Sequence, residues 1–194
     1  MKKTVWVVAL ASLFILGCSS KEVVVKTYTL HTAEVSKVFS GRYRTKTLKI
    51  SFPQTRKEKL SSKIRYSYSL SEEGTYLNSQ WSNNLGKLLQ GTFMNALSQS
   101  QVFYAVLPYA SSAGVDYRLE SSVIDFSHHV RGSLSYAIVS IQFSLINTDT
   151  GRLIKSKKLS YKEFTSTIDA KGYVEATTKI LGRLNSDLVV WLRD

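Results

Sequence analysis

The stretch Leu134-Ser135-Tyr136-Ala137-Ile138-Val139-Ser140-Ile141-Gln142-Phe143-Ser144-Leu145-Ile146-Asn147, followed by Thr148-Asp149-Thr150-Gly151, decides the fold. Tyr136, Ile138, Ile141, Phe143 and Leu145 recur close to every second residue, the pattern of a long half-buried strand. Asp149-Thr150-Gly151 is a hairpin signal. Leu153 to Phe164 then follows as the next strand, and its Lys155, Lys157, Lys158 and Lys162 mark a solvated or edge position where lysines discourage further pairing. On the other side, Asp116 to Phe126 carries Tyr117, Leu119, Ser121, Val123 and Ile124 and reads as the preceding strand. Three consecutive strands of this kind make an antiparallel meander.

Two amphipathic helices flank the meander. Before it, Trp81, Leu85, Leu88, Leu89, Phe93, Ala96 and Leu97 fall at spacings of three and four, with Asn78 or Ser79 as N-cap. Gly86 and Gly91 within this helix have a GxxxxG spacing, but Thr92 and Phe93 follow where a phosphate loop needs Lys and Ser/Thr. The glycines are expected to let the helix pack closely on a sheet. After the meander, Val174, Thr177, Leu181, Leu184, Leu188 and Trp191 form the second apolar stripe, with Asp169 as a cap. Shorter strands are expected at Val23 to Leu30, Leu48 to Phe52, Ile64 to Leu70 and Val102 to Leu107. The expected class is α/β in the broad sense (α+β): a single domain with a mainly antiparallel sheet and two long amphipathic helices packed against it.

The N-terminus gives an address. Lys2 and Lys3 precede an apolar run from Val5 to Leu16, in the basic, apolar, small order of a secretory signal. The run is shorter than the roughly 20 residues needed to span a bilayer. Its end, Ile15-Leu16-Gly17-Cys18, resembles the lipobox of bacterial lipoproteins, which implies cleavage before Cys18 and acylation, palmitate included, of its sulfur and amine. Cys18 is the only cysteine in the chain, so the protein has no disulfide to lean on. The division read from the sequence is a signal peptide over 1–17, a lipidated tether with a first strand over 18–40, and the main domain over 41–194.

Composition narrows the function. A hydrophobic fraction of 43% and aromatic fraction of 11% exclude a disordered chain. The formal charge of +12 favours anionic partners, and export makes these lipid head groups or acidic proteins, with no nucleic acid. The most basic segment runs from Gly41 to Arg65. Within it Arg56, Lys57, Lys59, Lys63 and Arg65 are the candidate contacts for a partner or anionic lipid; the same charges could equally be a solvated face. No HExxH, CxxC, GxSxG or metal-spaced carboxylate cluster is present, so no catalytic residue, metal or cofactor is assigned. His128 and His129 are adjacent, point to opposite faces of a strand and cannot share a metal; they read as a polar strand end or hairpin.

Taken together, Tyr28-Thr29-Leu30, Tyr76 with a Trp81-led helix to Leu89, Tyr117-Arg118-Leu119, Val123 to Phe126, the Leu145 to Thr150 turn region and Val189-Val190-Trp191-Leu192 resemble the ABC-type transport auxiliary lipoprotein family. The segment before Ile64 departs from the family, reading Lys59-Leu60-Ser61-Ser62-Lys63 where an Arg-Pro-Gln run is expected. The resemblance implies a non-enzymatic lipoprotein that serves an MCE-domain protein with its ABC permease and ATPase in phospholipid transport. It also leaves room for a homo-oligomer. Ser19 after the acylated cysteine implies sorting to the periplasmic face of the outer membrane. Two alternatives stay open: an envelope assembly or regulatory lipoprotein for lipopolysaccharide export or cell-wall synthase activation, and a small lipid carrier.

Overall fold

A computed structural model of the chain describes residues 24–31, 35, 41–55, 61–69 and 71–194. The described residues form nine strands in one sheet and two long helices. The strands are β1 (Lys26–Tyr28), β2 (Thr47–Ile50), β3 (Gln54–Thr55), β4 (Lys63–Ser67), β5 (Glu73–Trp81), β6 (Ala105–Pro108), β7 (Tyr117–Arg131), β8 (Leu134–Asn147) and β9 (Leu153–Phe164). Helix α1 (Leu85–Ser100) lies between β5 and β6, and α2 (Ala170–Arg193) closes the chain.

The meander is as the alternation predicts. β7 pairs antiparallel with β8 from Tyr117↔Asn147 to Arg131↔Leu134, and β8 pairs antiparallel with β9. Among the described residues β9 has no second neighbour, and it carries its lysines along the sheet's edge. On its other edge β7 receives the earlier part of the chain in three parallel pieces. β2 lies beside Tyr117 to Leu119, β3 beside Ser122 and Val123, and β4 beside His128 and His129. Pro53, which has no N–H to give a ladder, falls in the break between β2 and β3.

The expectation of a mainly antiparallel sheet is therefore corrected to a mixed sheet. β1 is parallel to β5, β6 is parallel to β2, and only β4–β5 adds to the antiparallel pairs of the meander. The reason is that β2, β3 and β4 follow one another along β7 in its own direction. The crossover from β5 through α1 to β6 then places another parallel strand beside β2.

Both helices cover the same face. α1 buries Leu85, Leu89, Phe93, Ala96 and Leu97, and α2 buries Ala176, Ile180, Leu181, Leu184 and Leu188. They rest on the inward side chains Leu119, Val123, Val139, Ile141, Phe143 and Leu145 of the sheet. Phe93 meets Phe143 edge to face, with centroids 5.2 Å apart. Asp169 caps α2 as the sequence suggests, its Oδ1 accepting from Gly172 N–H at 3.0 Å.

The start of α1 differs from expectation. Asn84, not Asn78 or Ser79, caps it, with Oδ1 accepting from Gly86 N–H at 2.8 Å. Trp81 ends β5, and its N–H donates to the Ser62 carbonyl at 2.7 Å. It shares the helix's apolar spacing only because strand and helix bury against one core. Gly91, expected to seat the helix on the sheet, is exposed, and a Cβ there would meet nothing within 4 Å.

Candidate functional site

Among the described residues the sheet opens between β4 and β7. β4 touches β7 only through Tyr66↔His128 and Ser67↔His129, whereas Lys63 and Arg65 pair with β5 on the other side. Among the described residues β3 pairs with β7 as far as Val123, and the β7–β8 ladder has a bulge between Val123 and Asp125, where Ile124 is 46% exposed. Between these strands lies a groove of about 220 Å³, to which the helices contribute Leu85 and Tyr173. Its floor is aromatic: Trp81 lies 6.2 Å from Phe126 and 6.0 Å from Tyr173, ring centre to ring centre. Its rim is polar and carries Lys63, Arg65 and Arg131 against Glu73 and Asp125.

Of the basic residues singled out in the sequence, Lys63 and Arg65 stand on this rim. Arg65 is 3.8 Å from Glu73, a long contact between partly exposed groups. Arg56, Lys57 and Lys59 lie outside the described residues, as does Cys18. The wall opposite Lys63 and Arg65 consists of Asp125, Ser127, His129 and Arg131, which sequence reasoning did not assign to the site. Their signal was present. They alternate with Phe126, His128 and Val130, so one polar series continues the strand beyond Phe126, where the sequence reading ended it.

Asp125, Ser127 and His129 have the residue types of a hydrolytic triad, but not its connectivity. Ser127 Oγ donates to Asp125 Oδ1 at 2.5 Å and lies 2.9 Å from His129 Nε2. The single hydroxyl proton goes to the carboxylate, so the facing imidazole nitrogen must donate. A nitrogen that donates to a hydroxyl cannot take that hydroxyl's proton, and among the described residues no carboxylate holds the other ring nitrogen in the way a nucleophilic triad requires. The trio fixes the wall of the groove. His129 also stacks on Tyr136, with centroids 5.2 Å apart.

His128 points the opposite way, as its place on the strand requires, but it is fully buried instead of ending a polar edge. Its Nδ1 lies 2.7 Å from the Tyr76 hydroxyl and its Nε2 2.5 Å from Ser135 Oγ, which also accepts from Thr165. Burial, chiefly, pulls the imidazole pKa down to about 4 and pushes the Tyr76 hydroxyl up to about 12, so both groups are neutral near pH 7. Among the described residues no group of three or more His, Cys, Asp or Glu is placed to hold a metal ion.

The candidate site is thus a groove with an aromatic floor and a polar rim that carries three cations against two carboxylates. The chain belongs to the family of ABC-type transport auxiliary lipoprotein components, whose family model matches residues 28–189. No curated protein matches the sequence significantly. Among solved structures, protein XCC0632 from Xanthomonas campestris superposes with a TM-score of 0.76 at 20% identity, over 87% of this chain and 95% of its own. A structure described only as an uncharacterized protein gives 0.67 at 15% identity, over 87% of this chain and 99% of its own. A hypothetical protein from Chlamydia trachomatis gives 0.50 at 9% identity, over 77% and 96% of the two chains. At these identities the likeness is one of fold.

Proposed function

We propose that the protein is a non-enzymatic, lipid-anchored periplasmic component of an MCE-type ABC system that moves phospholipid between the inner and outer membranes. It is held at the outer membrane through acylated Cys18. The observation that carries this reading is the family match across residues 28–189, on a chain whose only cysteine follows Ile15-Leu16-Gly17. The groove supports it, because Lys63, Arg65 and Arg131 present cations suited to an acidic partner or to phosphate head groups.

Affinity capture of the lipidated protein from detergent-solubilised envelope tests the reading. An MCE-domain protein should co-purify with its permease and ATPase, and charge reversal of Lys57, Lys59 and Lys63 should weaken capture. Recovery without any transporter subunit would overturn the assignment, and unchanged capture by the triple variant would remove the basic segment from it. The groove's aromatic floor favours the lipid carrier as the second reading, for which phospholipid extracted with the purified protein is the discriminating result.

A further inference from the structure

Four exposed, largely apolar side chains gather at one end of the sheet, on three different connections. Tyr68 stands just after β4, Leu134 begins β8 after the Gly132 turn, and Phe164 and Ile168 flank the passage from β9 to α2. Their exposures are 49%, 48%, 59% and 52%. Strand register puts them at one end. Tyr66 lies level with Gly74 and His128, Leu134 pairs with Arg131, and Phe164 pairs with Tyr136, itself beside His129. These connections are held in place. Tyr68 N–H donates to the Glu72 carbonyl at 2.9 Å and Thr165 N–H to the Ser135 carbonyl at 3.0 Å, while the Tyr76 hydroxyl reaches the Ile168 carbonyl at 3.4 Å. Apolar exposure on a held scaffold marks a contact surface.

The course of β1 identifies what covers it. β1 runs parallel to β5, and Lys26 stands opposite Ser79, six residues along β5 from Glu73, or about 20 Å. β1 therefore runs away from the end that carries Tyr68, Leu134, Phe164 and Ile168, and Lys26 is its residue nearest that end. Cys18 precedes Lys26 by eight residues, which span at most about 28 Å. That length reaches this end with little to spare. To bring Cys18 to the opposite end, near Leu153, the chain would have to reverse direction between Cys18 and Lys26.

We infer that this end of the sheet is a second membrane contact, resting on the phospholipid surface to which Cys18 is tethered, with Phe164, Leu134, Ile168 and Tyr68 at the head-group level. The inference rests on the proposed lipid anchor. Aromatic and aliphatic side chains beside cations suit the bilayer interface. Lys162 lies 3.7 Å over the Tyr136 ring and 5.1 Å over Phe164, and Arg131 is exposed beside them. Glu72, Glu73, Glu175 and Asp169 are also at this end. Of these, Glu73 faces Arg65, Glu175 faces Lys171 and Asp169 caps α2. One face of the molecule thereby has a fixed orientation to the membrane, and the β4–β7 groove opens beside it.

The full lipidated protein, reconstituted into vesicles of phosphatidylethanolamine and phosphatidylglycerol, provides the test. Phe164→Trp, Leu134→Trp and, at the far end of β9, Leu153→Trp serve as reporters, each compared with the unsubstituted protein. Lipids brominated near the glycerol end of the acyl chain should quench the added emission of Phe164→Trp and Leu134→Trp several-fold more than that of Leu153→Trp. Flotation with the vesicles but equal quenching at all three positions, or none, would overturn the membrane contact alone. Failure to float would overturn the anchor and the contact with it.

Discussion

The Tyr76 hydroxyl lies 2.7 Å from His128 Nδ1 and so joins β5 to β7 across the intervening β4. A neutral imidazole gives one donor and one acceptor, and the hydroxyls of Tyr76 and Ser135 can serve either role. The imidazolium would need both hydroxyls to accept, so Ser135 Oγ, which already accepts from Thr165, would have to turn its own proton away from the ring. The folded value of about 4 lies below the ordinary 6.5, so on acidification the unfolded chain takes up the proton first. Stability is full above pH 6.5, falls by about 3 kcal/mol towards pH 4, and levels off for this group below that. Urea midpoints measured across this range should show the slope in the parent and lose most of it in His128→Gln.

A second acid-sensitive tie operates lower on the scale. Asp116, just before β7, accepts from Lys46 Nζ at 2.9 Å, Thr47 N–H at 2.8 Å and Thr47 Oγ1 at 2.8 Å, pinning the start of β2 to that of β7. These contacts, the Thr47 amide first, draw its pKa down to about 2. Its contribution is present above pH 3.8 and lost as pH falls towards 2. Because the group is partly exposed, Asp116→Ala should cost only about 1–2 kcal/mol at neutral pH. A denaturation midpoint unchanged at pH 7 would refute this.

Two helical glycines should respond oppositely to alanine. At Gly182 a Cβ meets nothing within 4 Å, and Gly182→Ala should stabilise by roughly 0.5–1 kcal/mol through lost backbone freedom in the unfolded chain. At Gly172, in the first turn of the same helix, a Cβ would come within 2.3 Å of the Thr167 carbonyl oxygen and 2.8 Å of its nitrogen. Gly172→Ala should therefore lower the thermal midpoint despite alanine's helix propensity, because backbone must move to admit it.

Asn185 of α2 is fully buried, and neither atom of its side-chain amide has a hydrogen-bond partner. Leucine at this position would remove an uncompensated polar group and fill a similar volume. Asn185→Leu should stabilise by about 1–3 kcal/mol, read from the denaturation midpoint. A loss of stability would show that the amide has a role in the core.

The meander was legible because its signals are local: alternation in Leu134 to Asn147, the Asp149-Thr150-Gly151 turn and the edge lysines of β9 all act within a few residues. Both helices were legible from their apolar stripes. The parallel half of the sheet was not. β2 finds its partner about seventy residues later, and alternation says that a residue lies in a strand without saying which way its neighbour runs. β5 was hidden by Gly74, Asn78 and the 90% exposed Leu77. At the groove, Lys63 and Arg65 announced themselves by charge. Asp125, Ser127, His129 and Arg131 needed the strand to be carried past Phe126 before they formed one wall.

The placement of β2, β3 and β4 along β7 also sets an order of events. A chain made from its N-terminus delivers β2, β3 and β4 well before Tyr117, and until β7 arrives their edges have nothing to bind along that side. β7, β8 and β9, in contrast, follow one another through short turns and can pair as soon as they emerge. β7 is thus the template for β2, β3 and β4, which are made before it. The N-terminal third must therefore be kept from other strand edges while it waits, and this falls on the segment nearest to Cys18.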